Sequence, residues 1–134
     1  MKNKNIMLKR IKKDKRKENY DRVYQLHEQA EFLCYINEAY LEEYKGKNYI
    51  KLEGLVAKGT GRVTDIFELF DCNGRKKSEI TMEELYLGQN PVEQLTGGDK
   101  RVALYPKEQD VAYKAGDILC IMSDVNIGGN NASN

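Results

Sequence analysis

Side chains able to perform catalysis are few in this sequence and lie far apart. His27 is the single histidine of the 134 residues, and no cysteine or aspartate lies at a spacing from it that indicates a triad or a metal cage. Glu83 and Glu84 are adjacent, so their side chains point in different directions on a strand or on a helix. They do not form a general acid–base pair. We therefore expect no enzymatic activity, no metal site and no cofactor.

The three cysteines predict structure instead of chemistry. Cys34, Cys72 and Cys120 are odd in number, widely spaced and without a Cys-x-x-Cys pair, which argues against a disulfide framework and against a zinc site. Each lies among apolar or turn residues, so we expect small, buried core side chains. Unpaired cysteines also suit a cytoplasmic protein.

The strongest chemical signal is a cluster of positive charge at the beginning of the sequence. Segment 1–17 holds nine lysines and arginines but a single acid, Asp14, whereas the rest of the chain holds more acids than bases. Such segregation indicates a segment that meets a polyanion, because cations that neutralise phosphates release counterions. A solvated tail and attraction to a membrane surface are the alternatives. The candidate nucleic-acid-binding residues of this segment are Lys9, Arg10, Lys12, Lys13, Lys15, Arg16 and Lys17.

A glycine-rich stretch, Lys58-Gly59-Thr60-Gly61-Arg62, allows three interpretations. As a phosphate cradle it lacks the GxxxxGK[ST] pattern, and the next segment is predicted to be a strand instead of the helix that an anion site needs behind its loop. As a plain connector it would join two strands. In the third interpretation, Lys58 and Arg62 add a basic edge to a nucleic-acid-binding face.

The aromatic residues are mostly tyrosines, with nine tyrosines and no tryptophan in the chain. Packing is the default role of Tyr35, Tyr40 and Tyr44, which lie on or beside the apolar stripe of the predicted helix. Tyrosines on a rigid barrel surface can instead stack on bases. The residues that could include such a platform are Tyr49, Tyr86, Tyr105 and Tyr113.

Two N-terminal segments are expected to differ sharply in order. Segment 1–18 has too few apolar residues to fold alone, so we expect a disordered basic arm. Segment 19–46 is expected to be an amphipathic helix, because apolar residues recur every three or four positions through residue 45. Asn19 suits the N-cap, and Gly46 suits the position just after the helix.

The remainder is expected to form a small β domain. In segment 47–122, short alternating runs are separated by turn residues, among them the hairpin signal Asn73-Gly74, while Gly54 indicates a bulge or a barrel corner. This spacing is typical of an antiparallel barrel. Segment 123–134 is rich in Asn, Gly and Ser and is expected to be disordered. The predicted fold class is therefore mainly β, with an N-terminal α-helix.

Membrane insertion is not expected. No apolar run approaches the roughly 18 residues of a spanning helix. The basic N-terminus is followed only by Ile6, Met7 and Leu8 before charge resumes, so a signal-peptide hydrophobic region is also not expected.

Segment 65–122 resembles a known barrel. The successive stretches DIFELF, CNG, ITMEELY, GQNPVEQL and VAYKAGDIL are similar to the C-terminal β-barrel of the collagenase-like peptidase family. The Gly98-Asp99 and Gly116-Asp117 turns are similar to those of the related second domain of elongation-factor-Tu-type translational GTPases. The resemblance implies a translation-factor-type barrel and a link to RNA, since these families act in tRNA and ribosomal RNA modification or on the ribosome. Neither family's catalytic domain is present in the sequence.

These observations predict a non-catalytic binding module. We expect it to contact RNA, or the translation or RNA-modification apparatus, through the basic arm and the barrel. The alternative is a protein-interaction accessory subunit that docks on a separate catalytic protein. In that case the acidic side of helix 19–45 and the tyrosines would form the contact.

Overall fold

The computed structural model describes residues 6–13 and 19–123. The described residues form one helix and eleven strands. In chain order these are β1 Ile6–Arg10, α1 Tyr20–Gln29, β2 Ala30–Tyr44, β3 Lys47–Lys58, β4 Thr60–Arg62, β5 Phe67–Phe70, β6 Lys76–Ile80, β7 Met82–Leu87, β8 Asn90–Val92, β9 Gln94–Thr96, β10 Val102–Pro106 and β11 Ile118–Met122. The prediction of a mainly β protein with an N-terminal helix is confirmed.

All ladders between the described strands are antiparallel. The large sheet has the order β6-β5-β11-β2-β3-β10-β7-β8, with β1 also paired to β2, and β4 pairs with β9 in a small second sheet. Within the described residues no ladder joins β6 to β8, so the large sheet is not closed. The closed barrel that the sequence predicts for segment 47–122 is therefore not observed, although its antiparallel strands are.

The main core lies on one face of the large sheet. Phe32 and Phe67 meet edge to face with ring centroids 5.6 Å apart, and both are fully buried. Leu52, Leu104 and Leu119 add buried side chains from β3, β10 and β11. Because strands distant in sequence contribute to one cluster, burial of this apolar surface holds the sheet together.

The predicted helix 19–45 is wrong beyond Gln29. Asn19 does cap the helix, since its side-chain oxygen accepts a hydrogen bond from the Arg22 backbone N–H at 3.1 Å. The helix ends after Gln29, however, and Ala30–Tyr44 continues as a 15-residue strand. Aromatic and β-branched residues in this stretch favour a strand, and pairing on both sides of β2 outweighs its helical periodicity.

A β-bulge explains why this strand resembles a helix in sequence. The β2–β3 register shifts between Ile36 and Glu38, which leaves Asn37 as an extra residue. The core face of β2 therefore continues from Ile36 to Ala39, and this three-residue step mimics helical spacing. Gly54 lies opposite the bulge, where an added Cβ would come within 2.0 Å of the Tyr35 carbonyl oxygen. The bulge that Gly54 predicts is thus present, but its extra residue is in the partner strand.

Of two tight hairpins in the structure, one was predicted from the sequence and the other was not. Lys45 and Gly46 both have positive φ, at 52° and 79°, as a two-residue type I′ hairpin between β2 and β3 requires. They do not end a helix. The predicted Asn73-Gly74 hairpin is confirmed, since it joins β5 to β6 and its Gly74 has a φ of 86°. The Asp71 carboxylate accepts from the Asn73 N–H at 2.8 Å in the same turn.

Helix α1 covers the outward face of the first half of β2. Leu26 packs with Leu33, Phe70 and Ile118 in a second buried cluster. The helix is also tied to the β5–β6 turn, because Arg22 Nη1 donates to the Asn73 side-chain oxygen at 2.7 Å. Residues Phe32, Leu33 and Cys34 of β2 are consequently buried on both faces of the sheet.

The predicted disorder of arm 1–18 is wrong for Ile6–Arg10. These residues pair with β2, with Ile6 opposite Tyr44 and Arg10 opposite Tyr40. This short strand is stable here because β2 supplies its hydrogen-bond partners. The predicted disorder is also wrong for residues 11–13, since the Ile11 N–H donates to the Ala39 carbonyl at 2.8 Å and Lys13 forms a β-bridge with Ala115. Apart from Ser123, the first residue of the predicted tail, the rest of the predicted disorder, in residues 1–5, 14–18 and 124–134, lies outside the described residues. In the described part of the chain, no helix has the length and apolar character needed to cross a membrane.

Candidate binding site

Beyond the bulge, the outward face of the large sheet is uncovered and carries tyrosines and glutamates. Glu42 pairs with Tyr49 across the β2–β3 ladder, and Tyr105 pairs with Glu84 across the β10–β7 ladder. Paired residues and residues two apart share a face of the sheet. Alternation along β7 therefore places Tyr86 beside Glu84 on this face. The β2–β3 hairpin and the distant strands β7 and β10 thus bring their tyrosines and glutamates together on one face.

These side chains line a groove with a cavity volume of about 1030 Å³. We call it the tyrosine groove. Its aromatic and charged lining residues are Tyr44, Tyr49, Tyr86, Tyr105, Glu42, Glu83, Glu84, Lys47 and Lys107. A volume of this size is that of a ligand-binding cleft.

The centre of the tyrosine groove is a tyrosine pair held by carboxylates. The rings of Tyr86 and Tyr105 meet edge to face at 5.7 Å, and the Tyr86 hydroxyl donates to Glu84 Oε1 at 3.1 Å. That hydrogen bond is the main cause that raises the pKa of Tyr86. Burial, followed by the charge of Glu42, raises the pKa of Tyr105. Both hydroxyls therefore stay protonated, and the carboxylates beside them keep the centre of the groove negative.

One end of the groove is fixed by the chain that follows β10. Gln109 accepts a hydrogen bond from the Ile50 N–H at 3.2 Å and donates to the Pro106 carbonyl at 2.9 Å. Glu108 accepts from the Thr81 N–H and hydroxyl, each at 2.8 Å. Burial raises the pKa of Glu108, but the bonds from Thr81 outweigh it and lower the pKa overall. This wall of the groove is therefore preformed.

Among the predicted nucleic-acid-binding residues, Arg10 is engaged within the chain. Its Nε lies 3.2 Å from Glu38 Oε1, and its guanidinium carbon lies 5.9 Å from the centre of the Tyr40 ring. Lys9, Lys12 and Lys13 have exposed side chains, so they are accessible to a partner. The remaining candidates, Lys15, Arg16 and Lys17, lie outside the described residues.

Lys58 and Arg62, the other two candidates, lie on either side of a plain connector. Lys58 Nζ donates to the His27 carbonyl at 2.7 Å, which places a cation at the C-terminal end of α1, where it suits the helix dipole. Arg62 ends the short strand β4 and its side chain is exposed. Since a strand and no helix follows Gly59, the geometry of a phosphate cradle is not formed.

The residues first considered for catalysis are dispersed in the structure. His27 lies in the last turn of α1. The three cysteines are buried, as predicted, and burial raises the pKa of Cys34 to about 12. In residues 6–13 and 19–123, no group of three or more His, Cys, Asp or Glu side chains is arranged to hold a metal ion.

The suggestion that tyrosines form a platform is met in part. Tyr49, Tyr86 and Tyr105 come together in the tyrosine groove, whereas Tyr113 is buried and its hydroxyl donates to the Glu108 carbonyl at 2.7 Å. Glu42 and Tyr44 were missed because they fall in the predicted helix. Their two-residue spacing was the signal that could have placed them on one face of a strand.

The tyrosine groove offers ring faces, carboxylates and two ammonium groups to a ligand. Such a lining can bind a partner that is partly apolar and carries positive charge, because tyrosine buries apolar area while keeping a polar tip. No protein-family model and no curated protein sequence matches this chain.

Proposed function

We propose that this protein is a non-catalytic binding module whose tyrosine groove holds an extended segment of another protein. The observation that carries the proposal is the tyrosine-lined groove on the uncovered half of a rigid sheet. Tyr44 and Tyr49 are 37% and 38% exposed at its rim, so large amphipathic side chains face solvent without a partner from α1. Tyrosine is enriched at protein interfaces for this reason.

The charges favour a protein partner over RNA at this groove. Glu42 and Glu84 lie beside the central tyrosines, where they would repel a phosphate backbone. Two of the predicted phosphate contacts, Arg10 and Lys58, are already engaged with groups of this chain. The module would accordingly act as an accessory subunit that docks on a separate protein, in the reducing cytoplasm that three widely spaced cysteines without a Cys-x-x-Cys pair favour.

The relation to translation-factor-type barrels belongs to the same proposal. Two turns that carry the sequence resemblance support it. Gly98 and Gly116 have φ values of 97° and 103°, and Asp99 and Asp117 each accept a hydrogen bond at 2.8 Å from the backbone N–H three residues before. A partner within the translation or RNA-modification apparatus follows from this relation.

Selection from a displayed library of nonapeptides, run against the folded protein, tests the proposal. We expect selected peptides to bind with micromolar affinity and to lose at least tenfold when Tyr105→Ala opens the centre of the groove. The matched control is Tyr24→Ala, which removes a tyrosine that is 65% exposed on α1. This control should not change binding. Peptides that bind both variants equally, or no selected peptides at all, would remove the proposal.

RNA binding is the second candidate, and the exposed Lys9, Lys12 and Lys13 favour it. These cations would hold phosphates on the β1 side of the protein without reading sequence. Fluorescence anisotropy with a labelled single-stranded RNA would then show affinity that falls steeply with salt. The triple substitution of these lysines by glutamine should reduce the salt slope. Absence of RNA binding at low salt would exclude this candidate.

A further inference from the structure

We infer that the tyrosine groove recognises a positively charged side chain of its partner, best matched by the guanidinium of an arginine, through Glu84 and the rings of Tyr86 and Tyr105. The inference rests on the proposed function and names the chemistry of the anchor. A Glu-x-Tyr pattern occurs three times on the outward face of the sheet. Its occurrences are Glu38/Tyr40, Glu42/Tyr44 and Glu84/Tyr86.

The first Glu-x-Tyr pair shows how such a pair binds a cation. Glu38 and Tyr40 lie two residues apart on β2, so they share one face of the sheet. Arg10 reaches them from β1, with its Nε 3.2 Å from the Glu38 carboxylate and its guanidinium carbon 5.9 Å from the Tyr40 ring centre. The carboxylate supplies the charge-assisted hydrogen bond and the ring supplies a cation–π contact.

The second Glu-x-Tyr pair also has a cation from this chain at its ring. Lys45, in the β2–β3 hairpin, places its Nζ 5.2 Å from the centre of the Tyr44 ring. Lysine and arginine of the chain therefore both lie over tyrosine rings of this face.

The third Glu-x-Tyr pair faces the groove instead of a cation of the chain. Among the described residues, no lysine or arginine lies within ion-pair distance of Glu84 or over the Tyr86 ring. Glu84 and Tyr86 are two apart on β7, as Glu38 and Tyr40 are on β2, but here the Tyr86 hydroxyl donates to Glu84 Oε1 at 3.1 Å. A carboxylate accepts several hydrogen bonds, so Glu84 can still accept one from a ligand. Tyr105 adds a second ring at 5.7 Å. A partner's cation would complete this pair as Arg10 completes the first.

The electrostatics at the third pair agree with this geometry. Burial is the first cause that raises the pKa of Tyr105, with Glu42 and Glu84 adding to it. The hydrogen bond to Glu84 is the first cause that raises the pKa of Tyr86, followed by burial and the charges of Glu84 and Glu42. Both carboxylates therefore add negative charge at the centre of the groove. Lys47 and Lys107 also line the groove, but an ammonium close to the hydroxyls would act in the opposite direction. A planar guanidinium can stack on a ring while it donates to a carboxylate, which an ammonium does less well.

Two small probes test the inference directly. N-acetyl-arginine methylamide and N-acetyl-citrulline methylamide have nearly the same shape, but only the first is charged. We expect the arginine amide to shift the NMR signals of the Tyr86 and Tyr105 rings with millimolar affinity. The citrulline amide should bind at least tenfold more weakly, and the lysine analogue should lie between them.

A matched pair of variants assigns the effect to one carboxylate. Glu84→Gln should remove the preference for arginine over citrulline while leaving the fold intact. Glu43→Gln makes the same change of charge at a residue that follows Glu42 on β2 and does not line the groove, so it should keep the preference. Equal binding of the two amides, or a preference that survives Glu84→Gln, would overturn the inference.

The selected peptides distinguish a failure of the inference about arginine from a failure of the proposed function. If groove-dependent peptides lose no affinity when each arginine and lysine is replaced by its neutral analogue, the inference fails and the proposed function stands. If no groove-dependent peptide is found, the proposed function and the inference about its partner both fail.

Discussion

The two halves of β2 have the same backbone structure but different surroundings on their outward face. In the first half, Leu33 is fully buried because α1 packs over it with Leu26. In the second half, beyond the bulge at Asn37, Glu42 and Tyr44 face the tyrosine groove and solvent. The helix therefore divides one strand into a half that it covers and a half whose outward face is open to solvent. A ten-residue helix cannot cover a 15-residue strand and its neighbours.

This difference shows that the stability of the fold restricts the side chains of the covered half of β2 and not those of the uncovered half. Under α1, a polar substitution would lose buried apolar area and leave its polar group without partners. On the uncovered half, tyrosine and glutamate are tolerated because water solvates their polar ends. Tyrosines gathered there at the mouth of a cavity are the basis of the binding role that we propose.

Leu33→Ala should have the largest effect, because it removes a fully buried side chain from the covered half. We expect the free energy of unfolding to fall by about 2–5 kcal/mol, as measured by urea denaturation. Tyr44→Ala, on the same face of the uncovered half, should cost about 1 kcal/mol or less. Similar losses for the two variants would mean that the halves do not differ in structural role.

Gly54→Ala should have the next largest effect, since it acts at the bulge between the two halves. The new methyl group would come within 2.0 Å of the Tyr35 carbonyl oxygen, so β2 and β3 must separate locally. We expect a loss of about 1–3 kcal/mol in thermal or urea unfolding. The adjacent Glu53→Ala removes only a surface ion pair with Lys51 and should cost about 1 kcal/mol or less. A neutral Gly54→Ala would contradict the close approach.

Lys58→Met should have a smaller effect, confined to the covered half. The substitution keeps the aliphatic stem but removes the hydrogen bond to the His27 carbonyl at the end of α1. Helix content, measured by circular dichroism, should therefore fall. The free energy of unfolding should fall by about 1 kcal/mol. The exposed Arg62→Met should leave both unchanged. If Lys58→Met weakens RNA binding without loss of stability, Lys58 is a nucleic-acid contact instead of a helix cap.

The smallest effect should be a pH dependence that belongs to the uncovered half. The folded protein raises the pKa of Tyr105 above its usual value of 10.0, first through burial and then through Glu42. The neutral hydroxyl therefore stabilises the fold fully below pH 10, and this contribution is lost as the pH rises above that value. Tyrosinate absorbance compared with Tyr105→Phe should show the delayed ionisation, and Glu42→Gln should shift it down. Ionisation of Tyr105 at its usual pH would contradict the described surroundings.

Local signals predicted part of the fold correctly. Asn19 caps α1, Asn73-Gly74 forms its hairpin, and the three cysteines are buried. Each depends on a few neighbouring residues or on apolar character alone. The strand Ala30–Tyr44 was missed because a bulge gave it helical spacing, and Ile6–Arg10 was missed because its partner residues, Tyr40 to Tyr44, are far away in the sequence.

The sequence alone determined the mainly β character, the turn positions and the separation of charge along the chain, because these follow from residue type and local backbone preference. Only the tertiary structure decided which charges remain available to a partner. Arg10 is held by Glu38 and Lys58 by the end of α1, while Glu84 and Tyr86 face an open groove. These pairings depend on which strands lie next to each other in space. The spacing of residues along the sequence does not reveal that, because the strands are distant in sequence.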